Sequence, residues 1–117
     1  MTRAPLRVSL PPDPNTRSPN WTLPSGACDT HAHIFGPPDL FPYADDRRYT
    51  PPAAPFEHYL NMRKITGLSR AVFVTPTAHG YDNRVILDAI AQSKGWARGI
   101  ANIDSSFDDA ALAALND

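Results

Sequence analysis

Twelve of the thirteen prolines fall in residues 1–55, and only Pro76 lies beyond them. Proline lacks a backbone donor and fixes φ, so this first half cannot be mostly helix or central strand. Regular structure must crowd into the remaining stretch. Roughly 65 ordered residues suffice for a small core of marginal stability.

Charge and composition exclude several classes. Eleven Lys and Arg face twelve Asp and Glu, a formal net charge of -1. Such a chain lacks the basic footprint of a nucleic-acid binder. No apolar run approaches the ~20 residues a bilayer span requires. Met1 to Arg7 leads into prolines rather than an apolar stretch, so no signal peptide is expected. The single cysteine, Cys28, cannot form an internal disulfide. These features predict a cytoplasmic protein with neither nucleic-acid nor membrane partners.

Residues 1–24 read as a proline-rich arm, with Trp21 predicted to anchor its end, and residues 25–117 as the folded domain. Ala27 to Phe35, bounded by Gly26 and Gly36-Pro37-Pro38, predicts a first strand. Residues 36–55 form a long loop without predicted secondary structure, a length more typical of lids than of connectors. Phe56, Tyr59, Leu60, Met62 and Ile65 recur at helical spacing between Pro55 and Gly67. Ala71 to Val74 predicts a buried strand, and Thr75 to Tyr81 a loop. Asp82 or Asn83 is expected to cap a helix carrying Val85, Ile86, Ala89 and Ile90 and ending at Lys94-Gly95. Residues 99–103 predict a third strand, and Ser106 is expected to cap a last helix through Leu115.

Alternating strands and helices call for a parallel sheet covered by helices. A closed eight-unit barrel needs about 250 residues. The pattern therefore predicts either a small three-stranded unit or the front part of a larger enzyme, and the second is favoured. Its open sheet edges are expected to promote self-association.

His31 and His33 are the sharpest chemical signal. Residues two apart on a strand share a face, so both imidazoles should project together. Two neutral imidazoles can ligate a divalent cation such as zinc, or grip a polarised oxygen. Asp29 is expected on the same face, orienting a ring nitrogen. Thr77 and His79 follow the second strand, where ligands collect in parallel α/β folds, and could bond a carboxylate or carbonyl. Tyr49 can offer a phenolic hydrogen bond. Arg47 and Arg48, beside Asp45 and Asp46, read as a solvated charge cluster, and Cys28 and His58 as inert. No Gly-x-Ser-x-Gly elbow, phosphate-binding loop or dinucleotide fingerprint occurs.

The stretch Asp29-Thr30-His31-Ala32-His33-Ile34-Phe35-Gly36-Pro37 resembles the opening motif of the amidohydrolase superfamily, in its amidohydrolase-2 branch. Phe41-Pro42-Tyr43, Arg48-Tyr49-Thr50-Pro51-Pro52, His79-Gly80-Tyr81-Asp82-Asn83 and Ala97-Arg98-Gly99-Ile100-Ala101 are similar to the same branch, and to its lactonase group. The resemblance implies the first three βα units of a (β/α)8 TIM barrel. It implies water attack on a lactone or similar cyclic ester of a carboxylic acid. His31 and His33 would bind a divalent metal in metal-dependent relatives, or polarise the substrate carbonyl without one. Tyr49, Thr77 and His79 would contact substrate. It also implies that the water-activating aspartate belongs to a later strand, leaving these residues inactive alone. A decarboxylase of the same branch and a non-catalytic α/β module are the alternatives.

Overall fold

The computed structural model describes residues 5–117, so residues 1–4 of the predicted arm lie outside it. Five strands and three helices follow in order: β1 (Arg7–Val8), β2 (Cys28–Ala32), β3 (Tyr49–Thr50), α1 (Phe56–Thr66), β4 (Arg70–Val74), α2 (Arg84–Ser93), β5 (Ala97–Ile100) and α3 (Asp109–Asn116). A three-stranded parallel sheet has the order β2-β4-β5.

One face of this sheet is packed. Ala71 and Phe73 of β4 and Ala97 of β5 meet Phe56, Tyr59, Val85, Ile86 and Ala89 from α1 and α2. Trp96, unremarked in the sequence, stacks on Phe56 and Tyr59 with planes 16° apart, while the Arg63 guanidinium sits 3.9 Å from its ring centroid. Aromatic and cation–π contacts thus join α1 to the start of β5. Trp21 was expected to anchor the arm; it is instead 65% exposed.

The helix limits follow local chemistry. Gly67, at φ 82°, closes α1 by donating to the Arg63 carbonyl. Asp82, not Asn83, takes the Arg84 amide at the start of α2, because the Asn83 side chain turns inward. At α3 the cap is Asp108, whose Oδ1 accepts from the Ala111 amide, rather than Ser106. Ser106 is held in the preceding turn by Asp104. The third strand begins two residues earlier than the expected 99–103, because Ala97 pairs with Ala71 inside the core. Gly99 then lets α2 approach: a Cβ there would lie 2.6 Å from Ile90 Cδ1.

The arm and the long loop were both expected to lack strands. The proline-free pairs Arg7–Val8 and Tyr49–Thr50 instead form a short parallel ladder, extended by Ser9 N–H donating to Thr50 O. An antiparallel bridge between Phe35 and Ala54 closes the loop's far end. No helix among the described residues is long and apolar enough to cross a membrane.

Candidate active site

Alternation places the two histidines as expected. His31 and His33 are exposed, while Ala32 and Ile34 between and after them are buried. Their rings lie edge to face with centroids 5.0 Å apart. The row continues through Phe35, 5.7 Å from His33, to Tyr49, 6.4 Å from Phe35. Tyr49 is thereby joined to the histidine side.

The ring of His33 is fixed. Its Nδ1 lies 2.8 Å from the Val74 carbonyl oxygen at the end of β4. A carbonyl only accepts, so Nδ1 carries the proton. That commitment leaves Nε2 as the chemically available nitrogen: an acceptor or ligand when unprotonated, a donor to an oxygen when protonated.

Asp29 does not orient an imidazole. β2 carries one extra residue between the pairs Asp29↔Ala71 and Ala32↔Phe73. This bulge reverses the expected parity and turns Asp29 toward α1. Its Oδ2 accepts from the Tyr59 hydroxyl at 3.0 Å and its Oδ1 from the His31 amide at 3.2 Å. Burial, then the neighbouring Asp29 carboxylate, push the Tyr59 hydroxyl well above the usual phenol range, so it remains a donor. Tyr59→Phe should lower stability by about 1 kcal/mol in urea unfolding. An unchanged midpoint would mean that this bond contributes nothing.

Thr77 and His79 sit elsewhere. A short 3₁₀ turn at Thr77–His79 carries them into an open cavity of about 1080 Å³, with Arg47, Arg48, Asp82 and Asn102 in its wall. Thr77 is exposed there. His79 is 3% exposed and both ring nitrogens are engaged: Nδ1 donates to Pro42 O at 3.1 Å, and Nε2 accepts from Gly36 N–H at 3.2 Å. Donation from His79 to a ligand would require surrendering the Pro42 bond. His33 lines a different cavity of about 550 Å³ with Asp13 and Thr16 of the arm and His58, Tyr59 and Met62 of α1. Cys28 is half-buried.

Two residues escaped sequence reasoning. Asn83 and Asn102 bond to each other and to Thr75, Gly80 and Tyr81, tying the ends of β4 and β5 to the start of α2. Asn83 was legible only as a helix cap.

Two imidazole nitrogens supply half of a tetrahedral ligand set. Among the described residues no group of three or more His, Cys, Asp or Glu could hold a metal ion. These residues alone do not close a cation site.

Polar and ring-bearing side chains near the carboxyl ends of a parallel sheet stand where ligands collect in α/β folds. The model of the amidohydrolase family matches residues 28–116, and the chain belongs to that family. It is 44% identical over 103 residues to a 2-pyrone-4,6-dicarboxylate hydrolase of Comamonas testosteroni, covering 88% of this chain and 34% of that protein. It is 44% identical over 98 residues to a 4-sulfomuconolactone hydrolase of Rhizobium radiobacter, covering 80% and 33%. A crystal structure of an Agrobacterium tumefaciens protein superposes with a TM-score of 0.75 at 26% identity, over 89% of this chain and 37% of that one. A probable 2-pyrone-4,6-dicarboxylic acid hydrolase of Acinetobacter baumannii, with citric acid bound, gives 0.71 at 26% identity, over 78% and 34%. The chain spans about a third of the length of these relatives.

Proposed function

We propose that the chain contributes the carbonyl-polarising pair and part of the substrate grip of a hydrolase acting on a lactone or similar cyclic ester of a carboxylic acid. The observation that carries this reading is the pairing of His31 and His33 on one exposed face, with the His33 ring pinned through Nδ1. A protonated Nε2 on His33 donates to the lactone carbonyl oxygen, and His31 lies close enough to share that oxygen. Polarisation stabilises the negative charge that develops as water attacks. Tyr49 and Thr77 offer hydroxyls to the substrate's carboxylate or ring oxygen. His79, in the wall of the other cavity, acts on substrate only through the loop it holds. His31 and His33 are also the two nitrogens a divalent cation would take.

The relatives' names support the substrate class, since both are hydrolases and one takes a lactone. Citric acid in the Acinetobacter baumannii structure supports a site for carboxylates. In this reading residues 25–117 are the opening part of a (β/α)8 barrel, and residues 5–24 form the arm before it. The free edges of β2 and β5 offer pairing sites for further strands or a second copy. Asp29 is committed to Tyr59 and the His31 amide, which makes it a poor base for activating water.

A chimaera tests the reading. Residues 28–116 would replace the matching segment of the Comamonas testosteroni hydrolase. The expected result is a folded protein that hydrolyses the 2-pyrone-4,6-dicarboxylate ring. A folded chimaera with no turnover would contradict the proposal.

A further inference from the structure

We infer that His79 is a proton-sensitive latch that positions loop 36–44, holding it closed when neutral and releasing it when protonated. The inference stands on hydrogen-bond geometry and is independent of the hydrolase reading.

The latch closes over a long sequence separation. His79 Nδ1 reaches Pro42 O and its Nε2 meets Gly36 N–H, so one ring grips the loop near both ends. A third tie, Ala44 N–H to Ala78 O at 2.8 Å, fixes the loop's exit. The Tyr43 ring packs 4.9 Å from the imidazole. A carbonyl only accepts and an amide only donates, so a single protonation state satisfies both contacts: proton on Nδ1, lone pair on Nε2. The opposite tautomer loses both bonds. The cation keeps the Pro42 bond but sets an N–H against the Gly36 N–H. At 3% exposure water cannot substitute without movement.

The surrounding groups do not favour the cation enough to prevent this. Asp82, on the segment following the turn, faces His79 and favours the charged form, but its carboxylate is paired with Arg84 at 2.7 Å. Tyr43 is neutral and carries Arg47 over its ring at 5.9 Å. Asp46 and Arg48 share the open cavity with opposite signs. Burial outweighs the Pro42 bond and Asp82, and holds the imidazole below its ordinary value of 6.5.

The sign of the pH effect follows. With the loop open, His79 titrates near its ordinary value; with the loop closed, it titrates lower. Closure is therefore fully favoured above 6.5. Below that, opening gains about tenfold per pH unit, down to the pH at which the closed form also protonates. The loop carries the chain from Phe35 toward Arg47 and Tyr49, and Ala44 lines the larger cavity. Acid would thus loosen one cavity wall while the core stays intact.

The test is amide hydrogen exchange by NMR on the 117-residue chain between pH 7.5 and 5, with histidine ring ¹⁵N shifts recorded on the same samples. Protection of Gly36 and Ala44, corrected for intrinsic exchange, should fall about tenfold per unit below pH 6.5, with Phe73 and Ile86 unchanged. The His79 ring should show a proton on Nδ1 at neutral pH. His79→Gln, whose amide oxygen can still accept from Gly36, should abolish the pH slope. Flat protection in the wild type, an equal slope in His79→Gln, or a proton on Nε2 would overturn the inference. The ring spectrum of the wild type decides the matter even if the variant fails to fold.

Discussion

His33→Ala in the chimaera should lower kcat for ring opening by about 10²–10³-fold, the usual cost of removing one donor aimed at a developing oxyanion. The effect should appear mainly in kcat, because polarisation matters most when the carbonyl oxygen gains charge. His31→Ala should cost a similar amount. The double variant should cost far less than the product of the two, since the rings serve one oxygen. His58→Ala should stay within about twofold, because His58, though it lines the same cavity as His33, lies on α1 rather than in the row of rings that runs from His31 to Tyr49. Tyr49→Phe should raise KM more than it lowers kcat, as expected of a hydroxyl that holds the substrate rather than its reacting oxygen. Equal rates for the His31, His33 and His58 variants would remove the catalytic reading.

Asn83→Ala should cost about 3–4 kcal/mol, a large fraction of the ~5–15 kcal/mol that stabilises a small domain. The Asn83 Oδ1 accepts from the Thr75 hydroxyl at 2.6 Å and the Asn102 amide at 2.9 Å. Its Nδ2 donates to Tyr81 O at 3.2 Å and Asn102 O at 3.0 Å. Thr75 is 2% exposed and Asn83 5%, so truncation strands several polar groups away from water. Thr75→Val removes one hydroxyl and leaves the rest of the network paired, so about 1 kcal/mol is expected. Urea unfolding measures both. A cost below 1 kcal/mol for Asn83→Ala would mean that water or rearrangement replaces the network.

Much of this architecture is legible from local chemistry. Pro55 and Gly67 bracket α1, and the apolar run at Ala71 to Val74 marks the central strand. The proline density correctly forbids long elements before residue 55, yet it hides the Arg7–Val8 and Tyr49–Thr50 ladder, which rests on two proline-free dipeptides. The side-by-side histidines follow from strand alternation alone. The fate of Asp29 does not, because a bulge of one residue reverses parity and nothing in the local sequence announces it. Trp21 and Trp96 are alike in type, and only tertiary packing chooses which joins the core. Asn83 reads as a cap because its long-range partner, Asn102, is a tertiary fact. His79 reads as a loop donor for the same reason: Gly36 and Pro42 come to it only when the chain folds.

The account rests on a pinned His33 that offers Nε2 to a carbonyl oxygen, with His31 beside it. Long-range ¹H–¹⁵N spectra of the histidine rings in the chimaera, recorded as the 2-pyrone-4,6-dicarboxylate is added, test this most directly. Expected are a proton on His33 Nδ1 throughout and ligand-dependent movement of His33 Nε2 and of the His31 ring. A His33 ring lacking the Nδ1 proton, or a ligand that moves His58 and leaves His31 and His33 untouched, would contradict it.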